Sequence, residues 1–197
     1  MRIALFQPDI PQNTGTILRL AACLGTEAHI IEPAGFPTTD RAFRRAGMDY
    51  LEHVTIRRHP SWRAFEEWRC SERARLILFT THATLPYLEY RFQSDEILLF
   101  GRESSGVPEE VHKAADARLL IPMQGGLRSL NVAMTAAMGI GEALRQTRRS
   151  VHPIATERDD AKCLQERTRS CAEQINAHEA ASARDAHDFM RNDIDRK

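Results

Sequence analysis

No sign of charge dominates this chain: 27 Lys and Arg residues balance 27 Asp and Glu residues across 197 positions. A protein-wide basic field, the usual announcement of a nucleic-acid partner, is therefore absent, and any such partner has to be met by a local patch. The four cysteines, Cys23, Cys70, Cys163 and Cys171, form no C-x-x-C pair and no zinc spacing, which argues against a disulfide framework. Cys23 falls inside a helical apolar pattern and reads as a small core residue. The eight histidines have no ligand spacing, so no metal is expected. No apolar run approaches the ~20 residues that cross a bilayer. The opening Met1-Arg2-Ile3-Ala4-Leu5-Phe6 runs straight into a strand pattern and lacks a signal-peptide layout. Together these absences predict a soluble, cytoplasmic protein with no membrane partner. Dinucleotide and phosphate-loop fingerprints are missing too, since neither G-x-G-x-x-G nor the Walker lysine occurs.

What is present is an alternation. Continuous apolar runs at Arg2–Phe6, Ala28–Ile31, His53–Ile56, Leu76–Phe79, Ile97–Phe100 and Leu119–Ile121 read as strands. Between them lie helical patterns: Thr14–Leu24, capped by Asn13 and stopped by Gly25, and a short helix opened by Thr39 or Asp40 and closed by Gly47. Ser61–Arg69 and a short helix beginning at Pro108 follow. A long Ala/Met-rich helix, capped by Ser129 or Asn131, ends near Arg149. The class is α/β, a mainly parallel sheet with helices on both faces. After Arg149 the composition turns charged: residues 151–197 hold eight Lys/Arg and ten Asp/Glu, against nineteen and seventeen before them. Residues 1–149 are read as the folded domain and 150–197 as a tail, partly helical or disordered.

Open parallel sheets bind ligands at the carboxyl ends of their strands, and every chemically suggestive stretch falls at such an end. Asn13-Thr14-Gly15 with Arg19 places an amide, a bare glycine and a guanidinium at one helix start, so Arg19 can reach back toward whatever rests against Gly15. Gly101-Arg102-Glu103-Ser104-Ser105-Gly106 brackets an acid and two hydroxyls with glycines, a turn that suits a cationic ligand better than a phosphate. Ile121-Pro122-Met123 leads through Gly125-Gly126 to Ser129-Leu130-Asn131. Pro122 halts its strand, the glycines turn the chain, and free N–H groups are left between strand and helix. Taken singly, each stretch is equally compatible with a cap, a turn or a solvated face.

In combination and in order, N-x-G-x-x-x-R (Asn13, Gly15, Arg19), G-x-E-x-x-G (Gly101, Glu103, Gly106) and I-P-M followed by S-L-N (Ile121–Met123, Ser129–Asn131) resemble the SPOUT methyltransferases over residues 1–149. Pro11-Gln12-Asn13-Thr14-Gly15, His29-Ile30-Ile31-Glu32-Pro33 and Arg44-Arg45-Ala46-Gly47-Met48-Asp49-Tyr50 are similar to the branch that methylates the wobble ribose of tRNA. The resemblance implies a C-terminal deep trefoil knot, S-adenosylmethionine as methyl donor without a metal, and a homodimer with its site at the subunit interface. It also implies the tRNA anticodon stem-loop as partner. By position it assigns Phe79, Gly101, Glu103, Ile121, Met123, Ser129 and Leu130 to the cofactor, and Arg19 and Asn131 to catalysis. A guanidinium is too basic to accept a proton, so Arg19 is expected to stabilise a developing alkoxide or orient a neighbouring phosphate. Arg41, Arg44, Arg45, Arg57 and Arg58 form the expected RNA-binding patch within a segment carrying six arginines from 41 to 63. Two rival readings stay open at this point: the same chemistry on another tRNA or rRNA site, and a non-catalytic RNA-binding module on the same fold.

Overall fold

The computed structural model describes residues 1–37, 41, 45 and 48–147. The tail 150–197 lies outside the described residues, and so do Thr39, Asp40, Arg44 and Gly47. Seven strands form one sheet: β1 (Arg2–Phe6), β2 (Glu27–Ile31), β3 (Ile56–His59), β4 (Leu76–Phe79), β5 (Leu85–Pro86), β6 (Ile97–Phe100) and β7 (Ala117–Leu120). They run in the order β3-β2-β1-β6-β4-β7-β5, and every pairing is parallel. The helices are α1 (Pro11–Leu24), α2 (Trp62–Ser71), α3 (Glu109–Ala114) and α4 (Val132–Thr147).

Side chains alternate across the sheet, because successive residues of a strand point to opposite faces. Ile3, Leu5, Ile30, Ile77, Phe79, Leu98 and Phe100 face α1 and α4 and form one core with Ile17, Leu18, Ala136 and Ile140. Ala4, Phe6, Ile31, Leu76, Leu78, Ile97 and Leu99 form the other core with Phe65 of α2 and Val111 of α3. Both faces are covered, which is why the central strands read as unbroken apolar runs. In the first core α4 sits very close to the sheet. A Cβ on Gly139 would lie 2.6 Å from Cζ of Phe79, so glycine is required there, while a Cβ on Gly141 would meet nothing within 4 Å.

Several boundaries differ from expectation. Helix α1 starts at Pro11, with Ile10 as a cap that makes no side-chain hydrogen bond. Asn13 is thus inside the first turn rather than capping it. Proline suits that first position because its missing N–H would find no helical partner anyway. Gly25 ends the helix as expected, at φ 60°. Cys23 is exposed, not core; the buried stripe of α1 runs through Thr14, Ile17, Leu18 and Ala21, and Cys23 faces away from it. The third strand is Ile56–His59 rather than His53–Ile56. This edge strand exposes Arg57 and Arg58, so its sequence is polar, while Val54 and Ile56 pack on the first core.

Beneath α2 lies a polar element within an apolar layer. His29 and His59 are buried, with His29 Nδ1 3.0 Å from His59 Nε2. His29 stacks on Trp68 at 4.3 Å between ring centres, and Phe65 closes edge-on. Burial, then the neighbouring His59, Arg2 and Arg57, pushes the His29 imidazole down to about 3, and burial with Arg57 also lowers His59. The unfolded chain takes up the His29 proton near 6.5 and the folded chain only near 3, so unfolding binds protons between those values. Stability is therefore expected to fall by about 1 kcal/mol per pH unit as pH drops below 6.5. Urea titrations between pH 7 and pH 4 check this, and a His29→Phe variant should show a shallower slope than the parent.

Candidate active site

The carboxyl ends of β4, β6 and β7 open into one cleft of about 550 Å³, within the range of small-molecule sites. Its apolar walls are Phe79, Phe100, Ile121 and Leu130, with the Phe79 and Phe100 rings stacked at 5.1 Å. Its polar lining includes Asn13 on α1, Arg102 to Ser105 after β6 and Ser129 to Asn131 before α4, with Thr80 to His82 after β4 and His112 on α3.

The turn after β6 closes on itself. Arg102 N–H donates to Gly106 O and Gly106 N–H to Arg102 O, both at 2.9 Å. Gly106 has φ +68°, and a Cβ on Gly101 would come 2.8 Å from the Gly106 carbonyl carbon. Both glycines are thus dictated by the turn, and between them Glu103 is presented to the cleft. Its Oε1 accepts from Asn13 Nδ2 at 3.0 Å, and its Oε2 accepts from Asp9 N–H at 3.2 Å. Asn13 Oδ1 in turn accepts from Asn131 Nδ2 at 3.0 Å. Asn131 Oδ1 accepts from the N–H groups of Ala133 and Met134, at 2.8 and 3.3 Å. Of the two capping candidates for α4, Asn131 is the cap. A single run of hydrogen bonds therefore ties all three stretches together, although they are separated by up to 118 residues. Burial, then the facing Asp9, raises the Glu103 carboxyl above its usual range.

Phe79, Gly101, Glu103, Ile121, Met123, Ser129, Leu130 and Asn131, all expected at the site, line this cleft. Arg19 does not. It is exposed, with its guanidinium carbon 4.7 Å from the centre of the Tyr50 ring, and Gly15 is buried. Within one chain Arg19, one turn beyond Gly15 on the same face of α1, turns its guanidinium to the Tyr50 ring and does not line the cleft. Arg41 and Arg45 are exposed, and Arg44 lies outside the described residues. Arg57 and Arg58 are exposed on β3, Arg57 over the Trp68 ring at 5.1 Å and Arg58 paired with Glu32 at 2.6 Å.

Sequence reasoning missed two cleft features. His112 of α3 reaches the lining and sits edge-on to His82, with ring centres 6.0 Å apart; a lone histidine on a short polar helix gave no signal. Asp9, which grips the Glu103 turn, sits between Pro8 and Ile10 with no motif of its own to mark it. Among the described residues no three His, Cys, Asp or Glu side chains are grouped to hold a metal ion.

A doubly covered parallel sheet with a ligand cleft where three turns meet at its carboxyl edge defines an α/β protein built to hold a small molecule. The chain belongs to the SpoU rRNA Methylase family, whose model matches residues 1–141. A tRNA (cytidine(34)-2'-O)-methyltransferase of Beijerinckia indica subsp. indica is 62% identical over 144 residues, 73% of this chain and 90% of the relative. A solved structure described as giving structural insights into the 2-OH methylation of C/U34 on tRNA superposes with a TM-score of 0.70 at 43% identity, covering 74% of this chain and 94% of its own. The SpoU methyltransferase AviRb from Streptomyces viridochromogenes, solved in complex with the cofactor AdoMet, gives a TM-score of 0.69 at 26% identity, covering 74% and 57%.

The capping role of Asn131 has a direct consequence. Asn131→Ala should be about 1 kcal/mol less stable than Asn131→Asp, which keeps the cap and loses only the bond to Asn13 Oδ1. Thermal unfolding of both variants checks this; equal stabilities would remove the cap from the account.

Proposed function

We propose that this chain transfers a methyl group from S-adenosylmethionine to the ribose 2′-hydroxyl of the wobble nucleotide, position 34, of tRNA, with cytidine or a modified uridine as the acceptor base. The observation that carries the proposal is the convergence of Glu103, Asn13, Ser129 and Asn131 on one cleft in a chain this similar to enzymes bearing that name.

The residues fit the donor. Phe79, Phe100, Ile121 and Leu130 offer apolar surface for a nucleoside, and Glu103 offers a carboxylate to a sulfonium cation. Met123 and Ser129 flank the same space, with Gly101 at the floor of the turn. When bound, the donor would supply a methyl group on positively charged sulfur and leave as a neutral thioether, with the hydroxyl proton released to solvent. The chain's own part is alignment, which can be worth ~7–11 kcal/mol of the barrier. Asn131, fixed by its cap and by Asn13, holds the ribose. Arg19 stabilises the alkoxide oxygen as it develops or orients the adjacent phosphate.

Arg19 reaches that position from the other subunit of a homodimer. Support comes from the apolar surface beside the cleft. On α4, Met134 and Met138 are 51% and 39% exposed, and Leu127, Leu130 and Ile10 stand out near the rim. Exposed apolar side chains of this kind suit an interface, and Gly141 leaves room on the same helix for close approach. The anticodon loop then runs from the cleft to the arginines at 41, 44, 45, 57 and 58. Strand β3 lies three places from β6, about 14 Å at the usual strand spacing, and anticodon-loop bases are splayed as proteins require for reading RNA. The chain path after Gly101 is threaded as a trefoil knot. A tRNA substrate implies action in the cytoplasm.

Incubating the full chain with bulk tRNA and S-adenosylmethionine tritiated in the methyl group tests the proposal. Mass spectrometry of the digested tRNA should find a new methyl on ribose 34; label elsewhere, or none, overturns the assignment. Arg19→Ala and Glu103→Ala homodimers should each lose about 10²–10³ in rate. Mixed dimers of the two should regain activity, because one site then keeps both groups; absence of rescue contradicts an arginine supplied by the partner.

A further inference from the structure

Asp9 sits in the turn between β1 and α1, behind the cleft rather than in its lining, with both carboxylate oxygens and its own N–H committed. Asp9 Oδ1 accepts from the Glu103 N–H at 3.1 Å, and Oδ2 accepts from the Ser104 hydroxyl. Arg102 Nε lies 3.6 Å from the same Oδ2, and Asp9's own N–H returns a bond to Glu103 Oε2 at 3.2 Å. The Asp9 side chain is only 16% exposed. It is also fixed from the far side: a Cβ on Gly35 would come 3.0 Å from Asp9 Cα and Cβ, and Gly35 N–H donates to Pro8 O at 2.8 Å.

We propose that Asp9 is a positioning residue that clamps the Arg102–Gly106 turn from behind, holds the Glu103 carboxyl against the cleft and so sets the cleft's preference for a positively charged ligand. The identity of that ligand, a sulfonium, rests on the function proposed above; the clamp itself does not. Two carboxyl groups face each other here. Burial opposes ionisation of Asp9, but hydrogen bonds from Glu103 and Ser104 outweigh it and hold its carboxyl down at about 2. Glu103 is raised by burial and by Asp9. As pH falls it is Glu103 that takes the proton and Asp9 that stays charged. The other charged or titratable groups at this place are Arg102 on the turn itself, His82 after β4 and His112 on α3, with the neutral Asn13 amide facing from α1.

The test uses the full chain, wild type and Asp9→Asn, a near-isosteric change. Carboxyl-carbon NMR of the ligand-free protein reads the Glu103 titration, and calorimetry compares S-adenosylmethionine with S-adenosylhomocysteine, its neutral thioether counterpart. In Asp9→Asn the Glu103 midpoint should move down toward the ordinary glutamate range. Affinity for the sulfonium compound should fall about ten-fold, the loss of one charge-assisted hydrogen bond, and more than for the thioether. The acid limb of the affinity profile should shift to lower pH with the Glu103 midpoint, and the lost discrimination between the two compounds separates this from simple loosening of the fold. If Asp9→Asn does not fold, Gly35→Ala, which presses on the Asp9 backbone, should move the same readouts in the same direction. An unchanged Glu103 midpoint with unchanged discrimination between the two compounds overturns the proposal. Should the wild type bind neither compound, the function proposed above fails, and the Glu103 titration alone then decides the clamp.

Discussion

The site depends on one continuous run of hydrogen bonds, from Asp9 through Glu103 and Asn13 to Asn131 and the first turn of α4. Each amide in the run spends its oxygen in one direction and its nitrogen in the other, so both Asn orientations are fixed by their partners. The run crosses from the amino-terminal turn to the turn after β6 and on to the last helix. A parallel sheet makes this economical, because all its strands deliver their carboxyl ends to the same edge. The close seat of α4 on the sheet, enforced where Gly139 meets Phe79, carries Asn131 to the place where Asn13 can reach it.

Much of this was legible in the sequence because it has a local physical cause. Buried parallel strands must be apolar on both faces, so β1, β4 and β6 stand out as runs. Tight turns need glycine, so Gly101 and Gly106 bracket Glu103 visibly. Eight of the nine residues expected to hold the cofactor or act in catalysis line the cleft. What was not legible has causes of its own. Strand β3 is polar because one edge and half its side chains meet solvent. Strand β5 pairs over two residues only, too few to form a pattern. Asp9 acts through contacts 94 residues away in the chain, and no local pattern encodes such a partner. Arg19 shares a face of α1 with Gly15, but the direction of its long side chain is set by the Tyr50 ring, a neighbour that no local pattern names.

The two cores divide the labour. The layer under α1 and α4 packs apolar side chains beside the cleft, whereas the layer under α2 also buries the His29–His59 pair against Trp68. Those imidazoles are neutral by burial and far from the cleft's carboxyl pair, so acid acts on the protein at two places by opposite routes. At the edge of the sheet it charges groups that are stable only uncharged. At the cleft it discharges Glu103, which the account needs as an anion. Arg57 of β3 lies over the histidine layer and stacks on the same indole that covers His29.

The central claim is that one cleft, assembled from three distant turns, holds the methyl donor. Amide chemical-shift mapping of the isotope-labelled full chain on adding S-adenosylmethionine tests it most directly. The account predicts shifts concentrated together at residues 79–82, 101–107 and 121–132, with the β2–β3 edge undisturbed. Shifts centred on that edge, or confined to one of the three turns, would contradict it.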